Sequence, residues 1–129
     1  MSEPSLPSPP TASIDASTLV ESIRARHGIT LALAHIEGIC RRRGIRRLAL
    51  FGSILRDDFR PESDIDLLVD YEPDSRPRSF TEEFAVRDEF EALLGHKVDV
   101  VEREAVEQSP NYLRRRHILS TAEPIYVEG

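Results

Sequence analysis

Gly52-Ser53 and Asp64-Ile65-Asp66 stand ten residues apart, and the chemistry this chain can do is concentrated in those two short motifs. A flexible turn offers backbone N–H groups and a hydroxyl, the donors that phosphate oxygens accept. Two carboxylates supply hard oxygen ligands for Mg²⁺, the cation that accompanies phosphates in nucleotide sites. The combination is what a magnesium–nucleotide site needs.

Placing these groups requires strands. Leu48-Ala49-Leu50-Phe51 is an apolar run that reads as the end of a buried strand, about Ile45 to Phe51, with Gly52-Ser53 closing it. A second strand is expected from Asp64 to Tyr71. Side chains alternate faces along a strand, so Asp64, Asp66, Leu68 and Asp70 share one face, and Ile65, Leu67, Val69 and Tyr71 turn to a core. Asp64 and Asp66 are then about 7 Å apart along the strand. A third strand, Lys97 to Val101, buries Val98 and Val100 and leaves Asp99 opposite. If the second and third strands are neighbours, Asp99 completes a carboxylate triad with Asp64 and Asp66. Three carboxylates packed together repel, so at neutral pH they call for a proton or a cation. Mg²⁺ ions bridged by such a triad are the arrangement of two-metal phosphoryl transfer. Alternation alone equally fits aspartates lining the wet face of an antiparallel sheet. The Gly-Ser turn and Asp99 tip the reading toward a site.

Helices fill the remaining length. Thr18 and Glu21 make a capping-box pattern for a helix running to Gly28, and a second helix is expected from about Thr30 to Arg43. A third, Phe80 to Leu94, ends at Gly95. One or two short helices follow near Glu104 to Gln108 and Pro110 to Ser120, then an extended segment from Pro124 to Val127. The class is α/β (α+β), in one domain over residues 14–129. Residues 1–13 are Ser/Pro-rich with little to bury and are expected to be a disordered tail.

Composition narrows the function classes. The net charge of −6 argues against a general nucleic-acid binder, which would be basic. A single cysteine, Cys40, excludes an internal disulfide and a multi-cysteine zinc site. It sits in an apolar helical stretch, where a buried, inert thiol is expected. No apolar run is long enough to span a membrane and no secretion signal is visible, which makes a cytoplasmic location the default expectation. His27, His35, His96 and His117 show no metal-ligand spacing, and Ser53 lacks the flanks of a hydrolase nucleophile. Arg41-Arg42-Arg43 with Arg46 and Arg47 read first as cations complementing a helix C-terminus. Arg114-Arg115-Arg116-His117 read first as a solvated helix face, with a phosphate or partner contact as the alternative.

Phe51-Gly52-Ser53, ten residues, then Asp64-Ile65-Asp66 resembles the signature of the polymerase-β-like nucleotidyltransferases. The run from Leu50 to Val69 is similar to their minimal, single-domain members, which include MntA-type antitoxins. Lys97 to Val101 matches the place of that family's third carboxylate, and Asn111 to Tyr126 also resembles these small proteins. The resemblance implies a nucleotidyltransferase fold, a small mixed β-sheet flanked by helices with the site at one sheet edge. It also implies that Asp64 and Asp66 bind two Mg²⁺ ions. Asp99 would bind the catalytic ion and help deprotonate an attacking hydroxyl. Gly52 and Ser53 would hold the β/γ-phosphates of ATP, and AMP would pass to the hydroxyl as pyrophosphate leaves. Many relatives carry Arg directly after Gly-Ser and Gly three residues later. Ile54 and Asp57 stand there instead, with Arg56 and Arg60 as substitute cations.

The leading expectation is a transferase whose acceptor belongs to a partner, because little chain remains for a substrate domain. By resemblance that partner is a helical HEPN-type toxin, adenylylated by its antitoxin. The alternatives are an antitoxin that masks the toxin stoichiometrically and a transferase acting on an RNA 3′ end. An exposed apolar helix face would serve toxin binding or homodimerisation equally.

Overall fold

Strand β1 (Ile45–Phe51) buries every side chain except those of Arg46 and Arg47, and it organises the chain around itself. In the computed structural model, which describes residues 15–128, β2 (Ile65–Tyr71) lies antiparallel on one side of β1 and β4 (Glu123–Val127) antiparallel on the other. β3 (Val98–Glu102) adds in parallel to the outer edge of β2, giving the order β3-β2-β1-β4. The parallel pair needs a crossover, which α3 (Phe80–Leu94) supplies. This is the expected mixed sheet flanked by helices. The tail expected at residues 1–13 lies outside the described residues.

Alternation divides the sheet as the sequence predicts. Leu48, Leu50, Ile65, Leu67, Val69 and Val98 form one buried cluster with side chains of α1 (Ala16–His27), α2 (Leu33–Arg43) and α3, including Ile23, Ile36 and Phe90. Each such side chain removed from water contributes roughly 1.5–3 kcal/mol. The opposite face is only partly wet. Ala49, Phe51 and Leu68 pack there with Val106 of α4 (Arg103–Glu107) and Ile118 of α5 (Tyr112–Thr121). Leu68, on the aspartate face, is therefore core rather than surface. The two C-terminal helices roof the middle of that face and leave its ends to the polar groups.

Two helix starts differ from expectation. α1 begins at Ala16 behind Asp15, and the Thr18 hydroxyl donates to Asp15 Oδ2 at 3.3 Å from inside the helix. Glu21 is drawn into an ion pair with Arg24 instead of capping. α2 begins at Leu33 because Ile29 and Leu31 each drop into the core while Thr30 between them stays exposed, an alternation that only extended backbone provides. Cys40 is buried as expected, and burial followed by the Glu37 charge pushes its thiol up to about 12.

Candidate active site

The register of two short strands brings the carboxylates together. Asp66 on β2 pairs directly with Asp99 on β3, and residue 64 directly precedes β2. Asp64 and Asp99 are exposed, whereas Asp66 is half-buried between them and the end of β1. Burial pushes the Asp66 carboxyl up, and the negative charges of Asp99 and Asp64 push it further, to about 6. Arg114 and Arg56 pull the other way but do not win. Among the described residues, no three His, Cys, Asp or Glu side chains are closed into a ready cation cage. The donor set nevertheless fits a hard cation: it is all carboxylate, and its innermost member is held at an energetic cost that a positive charge would offset.

Gly52 meets the same carboxylate from β1. Phe51, the last residue of β1, pairs with Asp66, and the chain then turns through a short 3-10 segment, Gly52–Leu55. Gly52 has φ +80°, and a Cβ there would lie 2.2 Å from Asp66 Oδ2. Only a residue without a side chain permits this contact. Ile54 anchors the turn, being fully buried in the main core. That burial explains why no cation follows Gly52-Ser53: the position points inward. Ser53 is half-buried, and its carbonyl accepts the backbone N–H of Arg56 at 2.8 Å.

The charges between the motifs are internally answered. Arg26 of α1 donates to Asp57 Oδ1 at 3.0 Å and to the Leu55 carbonyl at 3.2 Å. Arg56 reaches Asp58 at 3.2 Å while remaining within electrostatic range of Asp66. Arg60 lines a different cavity, with His27, Phe59 and His96. The five arginines of positions 41–47 are all paired: Arg41 with Glu37, Arg42 and Arg43 with Glu89, Arg46 and Arg47 with Asp70.

A cavity of about 310 Å³ opens beside Gly52, lined also by Leu19, Ser22 and Arg26 of α1, Leu55, Arg56, and His117 and Thr121 of α5. None of the α1 or α5 residues was assigned to the site by sequence. Their placement follows from β4: Glu123 pairs with Leu50, so α5 must end where β1 ends. That pairing also brings Arg114 toward Asp66. The signal was the terminal Pro124 to Val127 strand, whose sheet position is not written in its own residues.

A profile of the nucleotidyltransferase domain matches residues 33–122. The protein adenylyltransferase MntA of Thermococcus cleftensis is 36% identical over 72 residues, covering 56% of this chain and 70% of that protein. A solved structure described as a minimal nucleotidyltransferase superposes with a TM-score of 0.55 at 31% identity, covering 80% of this chain and 92% of the other. A crystal structure of a toxin–antitoxin with AMP-PNP superposes with a TM-score of 0.56, covering 75% of this chain and 74% of the other; at 17% identity that likeness is one of fold. With the profile spanning β1, β2 and β3, the Gly-Ser turn and all three aspartates, the chain belongs to the nucleotidyltransferase domain family.

Proposed function

We propose that this protein transfers AMP from Mg-ATP to a hydroxyl on a partner protein, as the antitoxin that adenylylates a HEPN-type toxin. The observation that carries the reading is the Asp66–Asp99 register pair with Gly52 packed against Asp66, which puts the phosphate turn and three carboxylates on one corner of the sheet. The relative named a protein adenylyltransferase supports a protein acceptor, and the fold likeness to a toxin–antitoxin with AMP-PNP supports the partner and the nucleotide. Phe80 and Phe84 of α3 and Tyr112 and Leu113 of α5 are exposed, leaving apolar surface for a protein rather than a small acceptor.

In this reading Asp64, Asp66 and Asp99 hold two Mg²⁺ ions, which supply positive charge to the attacking and departing oxygens. Gly52 admits the triphosphate close to the backbone, Ser53 donates to it, and Arg56 adds a cation. Asp99, exposed at the sheet margin, accepts the proton of the incoming hydroxyl. A bond forms between that oxygen and the α-phosphorus, the bond to the β-phosphate oxygen breaks, and pyrophosphate leaves with the electron pair.

Intact mass spectrometry of the neighbouring gene's product, incubated with this protein, Mg²⁺ and ATP, tests the proposal. The expected result is a gain of one or more AMP units, absent with Asp64→Ala/Asp66→Ala. A tight complex with no mass gain would overturn catalysis in favour of stoichiometric masking. Neither gain nor complex would point to another acceptor, RNA included.

A further inference from the structure

His27 and His96 take no part in the chemistry above, yet each reaches the segment that joins the two motifs. His27, the last residue of α1, has Nε2 3.0 Å from the carbonyl oxygen of Ile54, the residue after Ser53. His96, in the turn between α3 and β3, has Nε2 2.6 Å from the carbonyl oxygen of Ser63, the residue before Asp64. A carbonyl only accepts, so Nε2 donates in both. The Phe59 ring sits between the two imidazoles, its centroid 4.8 Å from His27 and 5.3 Å from His96.

At the head of the segment Ile54 is buried, Leu55 packs on the core, and Arg26 holds the Leu55 carbonyl and Asp57. Beyond it Arg56, Asp57, Asp58, Arg60, Pro61 and Glu62 are all exposed, and Phe59 is the side chain of residues 56–62 that packs against the main core. The helix that ends in His27 and the helix that precedes His96 are themselves anchored in that core, α1 through Leu19 and Ile23 and α3 through Val86, Phe90 and Leu94. The largely exposed spacer is therefore contacted at both ends by imidazoles, one at the end of α1 and one in the turn after α3, with an aromatic ring between them.

We propose that His27, Phe59 and His96 form a clamp that sets the separation of the phosphate turn and Asp64, making the two histidines positioning residues for nucleotidyl transfer. The inference rests on the transfer reading. Each histidine governs a different partner in the reaction. His27 fixes the turn that receives the triphosphate, so losing its donor weakens nucleotide binding. His96 fixes the residue before Asp64, so losing its donor misplaces a carboxylate at the reacting centre, where a displacement of about 1 Å costs on the order of a hundredfold.

The test uses the full chain, Mg-ATP and the acceptor identified by mass. H27F and H96F keep a ring against Phe59 and remove the donor; H27Q and H96Q restore a donor without the ring. H27F is expected to raise the KM for ATP about tenfold with kcat nearly unchanged. H96F is expected to lower kcat about tenfold or more with KM nearly unchanged. Each glutamine variant should recover much of its loss, and Tm should stay close to wild type throughout. Wild-type constants in both phenylalanine variants would overturn the clamp. So would parallel losses that follow a lowered Tm and that glutamine does not rescue, which is the behaviour of mere packing. If the wild-type protein transfers no AMP, the functional reading fails on its own, and amide hydrogen exchange over residues 54–63 decides the clamp. Faster exchange in both phenylalanine variants would support it, and unchanged exchange would overturn it.

Discussion

Gly52 and Asp66 touch across the β1–β2 pair so closely that a single methyl at residue 52 would lie 2.2 Å from Asp66 Oδ2. The contact joins the two motifs that the sequence shows ten residues apart. Gly52→Ala must also adopt φ +80°, which costs an L-residue about 1–2 kcal/mol before the clash is counted. The expected result is a Tm lower by about 5 °C and transfer reduced by far more than that loss of stability accounts for. Thermal melts and transfer assays on the same preparation separate the two effects.

Asp66 carries a penalty in the absence of a cation, since burial, Asp99 and Asp64 together hold its carboxyl at about 6. Asp66→Asn removes the charge without changing the shape. The variant should melt higher than wild type in EDTA at pH 7, by roughly 1 kcal/mol once solvent screening of this half-exposed site is allowed for. Transfer should fall about a hundredfold or more. Adding Mg²⁺ should raise the wild-type Tm and leave that of the variant in place. A variant no more stable than wild type in EDTA would show that the carboxylates do not strain one another.

Arg114 is a residue for which the sequence favoured a solvated helix face over a phosphate or partner contact. Within electrostatic reach of Asp66, it can serve the triphosphate once cations occupy the carboxylates. Arg114→Ala is expected to raise the KM for ATP about tenfold, the worth of one charge-assisted contact, while Arg116→Ala leaves it unchanged. Equal effects of the two substitutions would assign the helix a general electrostatic role instead.

The acid limb of stability has a different source. Burial pushes Asp70 up, but hydrogen bonds and charge from Arg47 and Arg46 outweigh it and leave the carboxyl below its ordinary range. Glu89 is held down in the same way by Arg43 and Arg42 against its own burial. A depressed carboxyl contributes stability that is complete above its unfolded pKa and is lost as pH falls through the folded one. The fall should therefore begin near pH 4 and continue below it. Asp70→Asn and Glu89→Gln should each flatten part of that fall. Each should cost about 1 kcal/mol at pH 7, a modest value because Arg47 and Arg42 are half-exposed or more.

How far the sequence could be read depended on the range of the forces involved. Alternation in Asp64 to Tyr71 and Lys97 to Val101 was enough to place Asp66 and Asp99 on one face, since the pleat is a local property. It was not enough to make the strands neighbours; the parallel pairing through α3 decides that. Capping is local too, yet Thr18 was misread because Asp15, three residues earlier, competes for the same role. Leu68 looked solvent-facing by alternation and is buried because Val106 and Ile118 arrive from far down the chain. His27 and His96, 69 positions apart in sequence, carried no local signal at all. Their relation exists only once α1 and α3 share a core.

Asp66 belongs to, and Asp64 directly precedes, a strand with neighbours on both sides, while Asp99 belongs to an edge strand, which has one. Whatever brings the hydroxyl can thus come from the rim without prying the sheet apart. In the proposed reaction the groups assigned to the nucleotide gather at the ends of inner strands, and the carboxylate assigned to the acceptor's proton lies on the rim. The outer surface can therefore change to suit another acceptor without disturbing the corner around Gly52 and Asp66.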